Sequence, residues 1–586
     1  MLSFALYIYT LSPSVYGGDS GDLTSSVFSL GVAHPSGYPL YIILGRLVTE
    51  LIPDTFSFSW QLGALSATLA SFSLVFFNKA VYIFCKNKLA TLISTSALAV
   101  SYPFWLFAIT QEVFALHVLL LSLIFFIVSK IYESKKTLYL NYLAFLVGLS
   151  LTNNQSIILF FPPVFLFLTL TFCRDLFKLK TIFTMIIFFM LGLVPYIYIP
   201  FAAAQFPQVN WGFAVNWENF THLITREEYG WNPLSGGVDR VSITSSLWAF
   251  VDYWKYYIGW LFILTCSLGF SYLIKRKLYR LLILISLSFF LSGPFYVAYA
   301  NTPLKNFLTI AILEKFFLAN FFSAMYLFPF GIIFLHESLR THLQKILVLP
   351  PSKFVYFIYL IGVFGILITN FPKLNLRNIY LGENFAKDIL SPLPKDSVVL
   401  LMSDTMAFNS IHVQITQGFR NDIKIPGLYN GFDNMLKISG LSEEHILDYK
   451  IKNRGSVKNE VMGEAISDIA AAGNIFSDQE FEALDSKYGK IVSVPWGLLY
   501  KLELEENSHP KKEDYLALMD NIFISYHLEE VKSGNQAIEN SLTFADIKKL
   551  YSISFERVAQ FVHEEYNDDK KAAQYLKETL LLDPLK

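Results

Sequence analysis

The chain has 586 residues, of which 54% are hydrophobic and only 16% are charged, a balance typical of a membrane protein and not of a soluble globular one. The formal net charge of −1 argues against nucleic acid as a partner, because phosphate binding needs clustered Lys and Arg. The three cysteines lie in or beside apolar runs without a CxxC spacing, so we expect neither a disulfide framework nor a metal–thiolate site.

The first predicted element is a short apolar segment, residues 1–11. It lacks the basic n-region and the small-residue cleavage site of a secretory signal peptide. A helix needs about 20 residues to cross about 30 Å of hydrocarbon. We therefore interpret this segment as a short first membrane span.

The next segment, residues 12–56, is a polar loop in which Asp19 and Asp22 stand three residues apart at the start of a predicted amphipathic helix. A carboxylate that is partly withdrawn from water gains proton affinity and can serve as a general base. The same spacing also suits a helix cap, with Asp19 at the N-cap and Asp22 at the third helical position. The spacing alone is compatible with both interpretations.

Two further side chains of this loop, His34 and Tyr38, are candidates for binding a polar ligand. They lie in a segment whose prolines and glycines are typical of turns, so the segment can equally be a bend between two surface helices. Arg46 follows a few residues later and is a candidate cation for an anionic ligand.

Apolar stretches that predict membrane helices follow in chain order. They lie at residues 57–84, 88–108, 112–132, 138–152, 155–173, 181–203, 246–274, 279–299, 314–336 and 353–371. Basic residues fall in every second connection, and the positive-inside rule assigns those connections to the cytoplasm. The outward segments are then residues 12–56, 104–112, 152–156, 204–245 and 300–313 and everything after 372. The chain is thus predicted to be mainly α, a polytopic membrane helix bundle.

Function is expected in the two long outward loops, residues 12–56 and 204–245, because long loops of compact proteins usually carry it. Glu112 lies at the outer mouth of a span, where a charge is costly unless it faces the bundle interior or a cavity. It either orders Asp19 or an acceptor there, or lies in water at the interface. Asp19, Asp22, Glu112 and His222 include metal-ligand types, but no ligand spacing specifies a site, so no metal site is predicted.

The chain changes character after residue 371, where charge density rises. Residues 372–505 predict a soluble α/β segment, in which 397–402 are typical of a strand, 403–417 of a capped helix and 418–425 of a turn and strand. Residues 506–586 predict a helical end, where 555–584 are similar to one tetratricopeptide unit. The predicted membrane core is therefore residues 1–371.

Two runs of the first outward loop resemble the signature of a family of polytopic membrane proteins, labelled in bacteria as a domain of unknown function and related to a vertebrate protein O-mannosyltransferase. The runs are Tyr16-Gly-Gly-Asp-Ser-Gly-Asp22 and Gly31-Val-Ala-His-Pro-Ser-Gly-Tyr-Pro-Leu40. The usual pattern has Glu where this chain has Asp22 and Pro where it has Ser36. Further similarity lies at residues 111–116, 148–155 and 216–230, and more loosely at 313–317.

The resemblance implies a glycosyltransferase of the C-type membrane fold that takes its sugar from a polyprenyl-phosphate carrier and inverts the anomeric centre. It implies Asp19 as the base. Asp22 and Glu112, from their positions in the sequence, are further catalytic candidates. The leaving phosphate needs a cation, for which Arg226 is the first choice, although an outward Arg can also snorkel to lipid phosphates. The candidates for binding donor or acceptor are His34, Tyr38, Arg46, Asn154, His222, Arg226, Tyr229 and Lys315.

The expected reaction moves a sugar, mannose by family inference, from a polyprenyl- or dolichyl-phosphate donor to a protein Ser or Thr hydroxyl or a glycan. We expect no tightly bound cofactor, with a divalent metal left open. The expected location is the bacterial cytoplasmic membrane, or the endoplasmic reticulum in a eukaryote, with the C-terminal segment on the non-cytoplasmic side. A transporter or flippase, which usually places ionisable groups at mid-membrane, and a non-catalytic assembly protein are the alternatives.

Overall fold

The computed structural model describes most of the chain. The described residues are 1–172, 176–227, 242–300, 307–343, 351–426, 442–454, 466, 469–470, 473–481, 484–486 and 488–583. Helices dominate the first 374 residues. Up to residue 172 they are Leu2–Thr10, Ser20–Ser29, Pro39–Thr49, Phe58–Cys85, Lys88–Val100, Tyr102–Ala108, Phe114–Ser134, Leu138–Leu151, Gln155–Phe160 and Phe161–Phe172. The later ones are Leu179–Gly192, Val194–Ile197, Tyr198–Ala203, Trp211–Phe213, Trp217–Thr225, Ile243–Tyr253, Trp254–Ile258, Trp260–Lys275, Tyr279–Phe290, Leu291–Phe295, Tyr296–Ala300, Phe307–Ala324, Phe328–Leu343 and Pro351–Leu374.

The described part of the chain holds five helices that are long and apolar enough to cross a membrane, and nine spans result if each of four bent helix pairs counts as one. Each of the ten apolar stretches predicted from the sequence lies on one of these helices, on a bent pair, or on the shorter helix Leu138–Leu151. The chain is therefore an integral, multi-pass membrane protein, and its predicted mainly α class is confirmed.

Of the four predicted spans that fall on bent helix pairs, residues 246–274 are bent most sharply. Residues 246–274 were expected to cross the membrane in one piece, but Ile243–Ile258 and Trp260–Lys275 meet at an angle of 110°. The break is Gly259, whose φ of 91° lies in a region that only glycine adopts readily. A hydrophobic window sees an unbroken apolar run here, because a single glycine barely changes the mean hydropathy.

The segments predicted to face outward meet at one end of the bundle. The Gln111 side-chain NH₂ group donates to the backbone carbonyls of Ser14 and Ser59 at 3.3 and 3.0 Å. Its side-chain oxygen accepts from the Tyr16 backbone N–H at 3.3 Å. The Asn153 amide donates to the carbonyl of Val113 at 3.2 Å. Three separate outward segments are thereby tied together by buried side chains.

Basic side chains of the predicted cytoplasmic connections lie at the far ends of the same helices. Helix Phe58–Cys85 starts beside the first outward loop and has 28 residues, so it spans about 42 Å. Lys86 follows its last residue and pairs with Glu133 at 2.6 Å, and Lys130 reaches the same carboxylate at 3.2 Å. These lysines therefore lie at the end of the helix that is farther from the first outward loop, and the orientation of the chain in the membrane stays a prediction.

The C-terminal part combines a mixed sheet with helices. The strands are β1 (Val398–Leu400), β2 (Ile475–Ser477), β3 (Leu484–Ser486), β4 (Gly489–Trp496) and β5 (Leu499–Leu504), in the order β1-β2-β5-β4-β3. β1 and β2 are parallel, and the other neighbours are antiparallel. The helices are Leu381–Leu390, Asp404–Gln417, Glu443–Lys452, Lys512–Ser525, Leu528–Val531, Gln536–Glu539, Leu542–Tyr566 and Asp569–Leu582, with a 3₁₀ turn at Glu505–Asn507.

The strand and helix predicted at residues 397–402 and 403–417 are present as Val398–Leu400 and Asp404–Gln417, but the strand predicted within 418–425 is wrong. Only an isolated bridge between Lys424 and Val398 forms there. The last two helices form the predicted hairpin. Its tetratricopeptide character and the domain boundaries at 371 and 505 stay predictions.

The C-terminal part packs directly on the first outward loop. Helix Asp404–Gln417 lies against helix Ser20–Ser29 so closely that a Cβ at Gly21 would overlap the Phe408 carbonyl. His412 bridges the same helices, since its Nδ1 lies 2.8 Å from the Thr24 hydroxyl. Further along, the Tyr16 hydroxyl lies 2.7 Å from that of Ser541. The outward loop is therefore enclosed between the membrane helices and the C-terminal part.

Candidate functional site

A lysine joins two carboxylates at the outward end of the bundle. Lys315, on helix Phe307–Ala324, places its Nζ 2.8 Å from an Asp19 oxygen and 2.9 Å from a Glu112 oxygen. The lysine side chain is only 10% exposed, so both ion pairs are largely shielded from water. Lys315 was expected only as one of several residues that could bind donor or acceptor, with Arg226 as the first-choice cation, because an apolar run around a lysine gives no sign of which residues it faces.

Asp19 stands immediately before helix Ser20–Ser29, but its side chain makes no capping hydrogen bond. The capping interpretation of this side chain is therefore wrong. Burial alone would raise the pKa of the Asp19 carboxyl, yet Lys315, His34 and Arg226 outweigh it and lower this pKa to about 2. Asp19 is consequently ionised at any physiological pH, and its side chain keeps 32% of its surface exposed.

Glu112 lies between helices Tyr102–Ala108 and Phe114–Ser134 and is 2% exposed, so the interpretation of it as an interfacial residue in water is wrong. Burial and the neighbouring Asp19 charge raise the pKa of its carboxyl to about 7, against the opposing effect of Lys315. One Glu112 oxygen binds Lys315, and the other has no hydrogen-bond partner within the described residues.

Asp22 is fully buried and accepts hydrogen bonds on both oxygens. One oxygen accepts from the His34 backbone amide at 3.0 Å and lies 2.6 Å from His34 Nδ1. The other accepts from the Trp211 indole at 2.8 Å. Asp22 therefore holds two side chains in place, and its oxygens are turned towards them.

The His34 ring lies between the two aspartates, with Nε2 3.8 Å from an Asp19 oxygen. Burial would lower the pKa of His34, but Tyr38 and the carboxylates of Asp19 and Asp22 raise it to about 10. The Tyr38 ring stands 4.9 Å from the imidazole centroid. The segment is therefore more than a bend, since it brings His34 and Tyr38 to the ion-pair cluster.

The second outward loop reaches the cluster through Trp211 and Arg226. The Trp211 amide donates to the Val32 carbonyl at 3.1 Å, which places its indole on Asp22. Arg226 ends helix Trp217–Thr225 and donates to the Pro35 carbonyl at 2.6 Å, and its charge helps to lower the pKa of Asp19. The positive charges of Arg226, Lys315 and protonated His34 thus all act on Asp19.

Other predicted candidates do not join this cluster. Arg46 pairs with Glu50 and donates to the Phe28 carbonyl at 3.4 Å on the outer side of its helix. The Asn154 side chain accepts from the Ser156 amide at 2.9 Å and so caps a short helix. The His222 ring makes no hydrogen bond to the cluster among the described residues. Tyr229 lies outside the described residues.

Besides Trp211, which binds Asp22, three further side chains near the cluster were not predicted as site residues. Gln155 donates to the Ile224 carbonyl at 2.5 Å, two residues before Arg226. The Phe408 ring lies almost parallel to His34, with 6.4 Å between centroids. Asp404 stands one helical turn before Phe408, and partial withdrawal from water, with the charges of Asp19 and Asp22, raises the pKa of its carboxyl to about 6. No sequence signal links residue 404 to the first loop.

The described residues contain no group of three or more His, Cys, Asp and Glu side chains placed to hold a metal ion. The space between Asp19 and Glu112 is taken by an ammonium group. What the cluster offers chemically is an ionised, partly exposed carboxylate surrounded by fixed cations. Such an arrangement can accept a proton from a hydroxyl and can bind a phosphate.

Comparisons with known proteins agree with the motifs of the first loop. Residues 19–177 match the family model described as the protein O-mannosyl-transferase TMEM260 N-terminal domain. Protein O-mannosyl-transferase tmem260 of Dictyostelium discoideum is 23% identical over 96% of this chain and 72% of its own length. Protein O-mannosyl-transferase TMEM260 of Mus musculus is 24% identical over 72% of this chain and 60% of its own. These matches confirm the resemblance and the predicted membrane glycosyltransferase class.

Two solved structures overlap with the fold. ArnT from Cupriavidus metallidurans in the apo state gives a TM-score of 0.47 at 9% identity, and the match covers 87% of this chain and 98% of the ArnT chain. The Archaeoglobus fulgidus oligosaccharyltransferase complex with Zn and sulfate gives a TM-score of 0.39 at 11% identity, and the match covers 81% of this chain and 67% of the oligosaccharyltransferase chain.

Proposed function

We propose that this chain, which is related through residues 19–177 to the protein O-mannosyl-transferase TMEM260 N-terminal domain, transfers mannose from a polyprenyl- or dolichyl-phosphate donor to a Ser or Thr hydroxyl of a protein. The reaction takes place on the non-cytoplasmic face, where the two outward loops and the C-terminal segment meet. The single observation that carries the mechanism is Lys315 bound between Asp19 and Glu112.

Asp19 is the general base of this proposal. Among the three predicted catalytic carboxylates it alone keeps substantial exposure, since Asp22 and Glu112 are at most 2% exposed. Both Asp22 oxygens are also already hydrogen-bonded, one to His34 and the other to Trp211. Only Asp19 can therefore meet an acceptor hydroxyl without a rearrangement of buried groups.

Lys315 and Arg226 are the cations for the donor phosphate. The donor is a phosphodiester with one negative charge, and guanidinium and ammonium groups bind such oxygens well. A phosphate that shares Lys315 weakens the ion pair with Asp19 and so raises the pKa of Asp19 from its low value. Donor binding thereby prepares Asp19 to take a proton.

The transfer is a direct displacement. The acceptor oxygen attacks the anomeric carbon, and a new carbon–oxygen bond forms as the bond to the phosphate oxygen breaks. The electron pair leaves with the polyprenyl phosphate, and the hydroxyl proton moves to Asp19 and then to water. Configuration at the anomeric carbon is inverted, because attack and departure occur on opposite faces.

The other residues of the cluster hold the base and the phosphate-binding cations in position. Glu112 holds Lys315 through a second ion pair, beside the one with Asp19. Asp22 fixes the His34 ring through Nδ1, which leaves Nε2 directed towards Asp19. The donor's lipid tail stays in the bilayer, which is that of a bacterial cytoplasmic membrane or of the endoplasmic reticulum. The soluble segment 372–505 and the helical end 506–586 then share the compartment of the acceptor.

The test is Asp19→Asn in membranes or nanodiscs that contain the full chain. With radiolabelled dolichyl-phosphate mannose and a synthetic Ser/Thr peptide, we expect transfer to fall about 10²- to 10⁴-fold, the range for loss of a general base. Asp54→Asn is the matched control, since Asp54 is an exposed acid of the same loop outside the cluster. Unchanged transfer by Asp19→Asn at equal protein levels would remove the assignment.

A further inference from the structure

Helix Asp404–Gln417 of the C-terminal part forms a wall of the candidate site. Close backbone contact at Gly21 and the hydrogen bonds of His412 to Thr24 and Ser59, at 2.8 and 3.1 Å, attach it to the membrane part. These contacts fix the helix along its length against the loop that carries Asp19.

The first turn of this helix is anchored from two other directions. The backbone amides of Met402 and Ser403 donate to the Asp478 carboxylate at 3.0 and 2.7 Å. The Thr405 hydroxyl donates to Asp546 at 2.8 Å. Residue 404 therefore has a defined position between two bound neighbours, although it lies at a helix end.

Asp404 lies on the face that looks into the site. Residues four apart share a helix face, and Phe408 lies over the His34 ring and 6.3 Å from the Trp211 ring centroid. The charges that act on the Asp404 carboxyl are those of Asp19, Asp22, His34 and Lys315.

Asp404 differs from the other carboxylates of the site because its side chain is exposed and has no hydrogen-bond or ion-pair partner among the described residues. Asp22 and Glu112 are buried, and Asp19 is ion-paired. The Asp404 side chain, by contrast, has no direct hydrogen bond or ion pair to any described residue. Its carboxylate is therefore accessible to a molecule that enters from water.

We propose that Asp404 is an acceptor-positioning residue, which accepts a hydrogen bond from an N–H or O–H group next to the hydroxyl that is glycosylated. This inference rests on the proposed transferase function and adds to it a role for the C-terminal segment. That segment then selects the acceptor, while the membrane part binds the donor and carries the base.

The experiment compares Asp404→Asn with wild type in nanodiscs, with dolichyl-phosphate mannose and a synthetic Ser/Thr peptide titrated separately. We expect the KM for the peptide to rise about 10- to 100-fold, the range for loss of a hydrogen bond to a charged group. The KM for the donor and the slow hydrolysis of the donor without peptide stay unchanged. Asp404→Glu restores part of the peptide affinity.

Asp514→Asn is the control for a purely structural effect, because Asp514 is likewise an exposed acid in the first turn of a C-terminal helix. It should leave both KM values unchanged. An unchanged peptide KM in Asp404→Asn, or an equal rise in both KM values, overturns the role of Asp404 alone. Wild-type protein that neither transfers nor hydrolyses the donor overturns the proposed function and this inference with it.

Discussion

Replacing Lys315 by methionine removes the charge that holds Asp19 and Glu112 together, while it keeps most of the side-chain volume. Breaking a buried ion pair by removing one partner typically costs 3–5 kcal/mol, because the other charge stays buried. Here the lower end is expected, about 3 kcal/mol, since Asp19 is partly exposed and Glu112, with a pKa of about 7, can take up a proton.

The assay is thermal unfolding of the purified chain in detergent, beside mannosyl transfer in nanodiscs. Lys315→Met should be clearly less stable than wild type. Adding Glu112→Gln to Lys315→Met should recover part of the lost stability, because the Glu112 charge that lacks its partner is then gone. Transfer should fall about 10²- to 10³-fold in both variants, as for other electrostatic groups at a reaction centre.

Lys315→Arg serves as the charge-retaining control and should keep most of the stability. Two results would refute the reasoning. Lys315→Met with wild-type stability would mean that the two ion pairs contribute nothing, and Lys315→Met with wild-type transfer would mean that this cation does not serve the donor.

Two further predictions concern Glu112 and Gly21. Because the pKa of Glu112 is raised to about 7 in the folded chain, the folded state binds more protons than the unfolded one between about pH 4.5 and 7. Its contribution to stability is therefore lost as pH rises through this window, and Glu112→Gln should flatten the unfolding profile there; an unaltered profile would contradict this. Gly21→Ala should separate helix Asp404–Gln417 from the loop, with a loss of about 1–3 kcal/mol in unfolding and much lower transfer. Gly365→Ala, which meets nothing within 4 Å, is the neutral control, and equal behaviour of the two variants would exclude a tight contact.

The membrane part of the fold could be predicted well because its signals are local. Apolar runs of helix length reveal spans without any knowledge of packing. The sides assigned from the alternating basic connections stay a prediction. Local breaks were harder to see. The 110° bend at Gly259 depends on one backbone conformation, and the missing strand near Lys424 depends on which neighbour the chain meets.

The candidate site was only partly predictable, for the same reason. Asp19 and His34 lie in one recognisable loop, so a motif finds them together. Lys315 contacts Asp19 across 296 positions of the chain, and Asp404 reaches the site from a part of the chain that matches no motif. Their roles depend on long-range packing, which a single sequence does not contain. Asp22, by contrast, was found by the motif, but only its hydrogen bonds to His34 and Trp211 distinguish positioning from base chemistry.

The link between Asp19 and Lys315 gives the proposed reaction a coupled charge balance. The donor phosphodiester carries one negative charge, and the polyprenyl phosphate that leaves carries up to two. As the acceptor proton arrives on Asp19, that carboxylate becomes neutral and its ion pair with Lys315 ends. The ammonium group is then free to neutralise the extra charge that develops on the phosphate at the same moment. One lysine between a base and a leaving group thus serves both, and the buried Glu112 keeps it in place when Asp19 releases it.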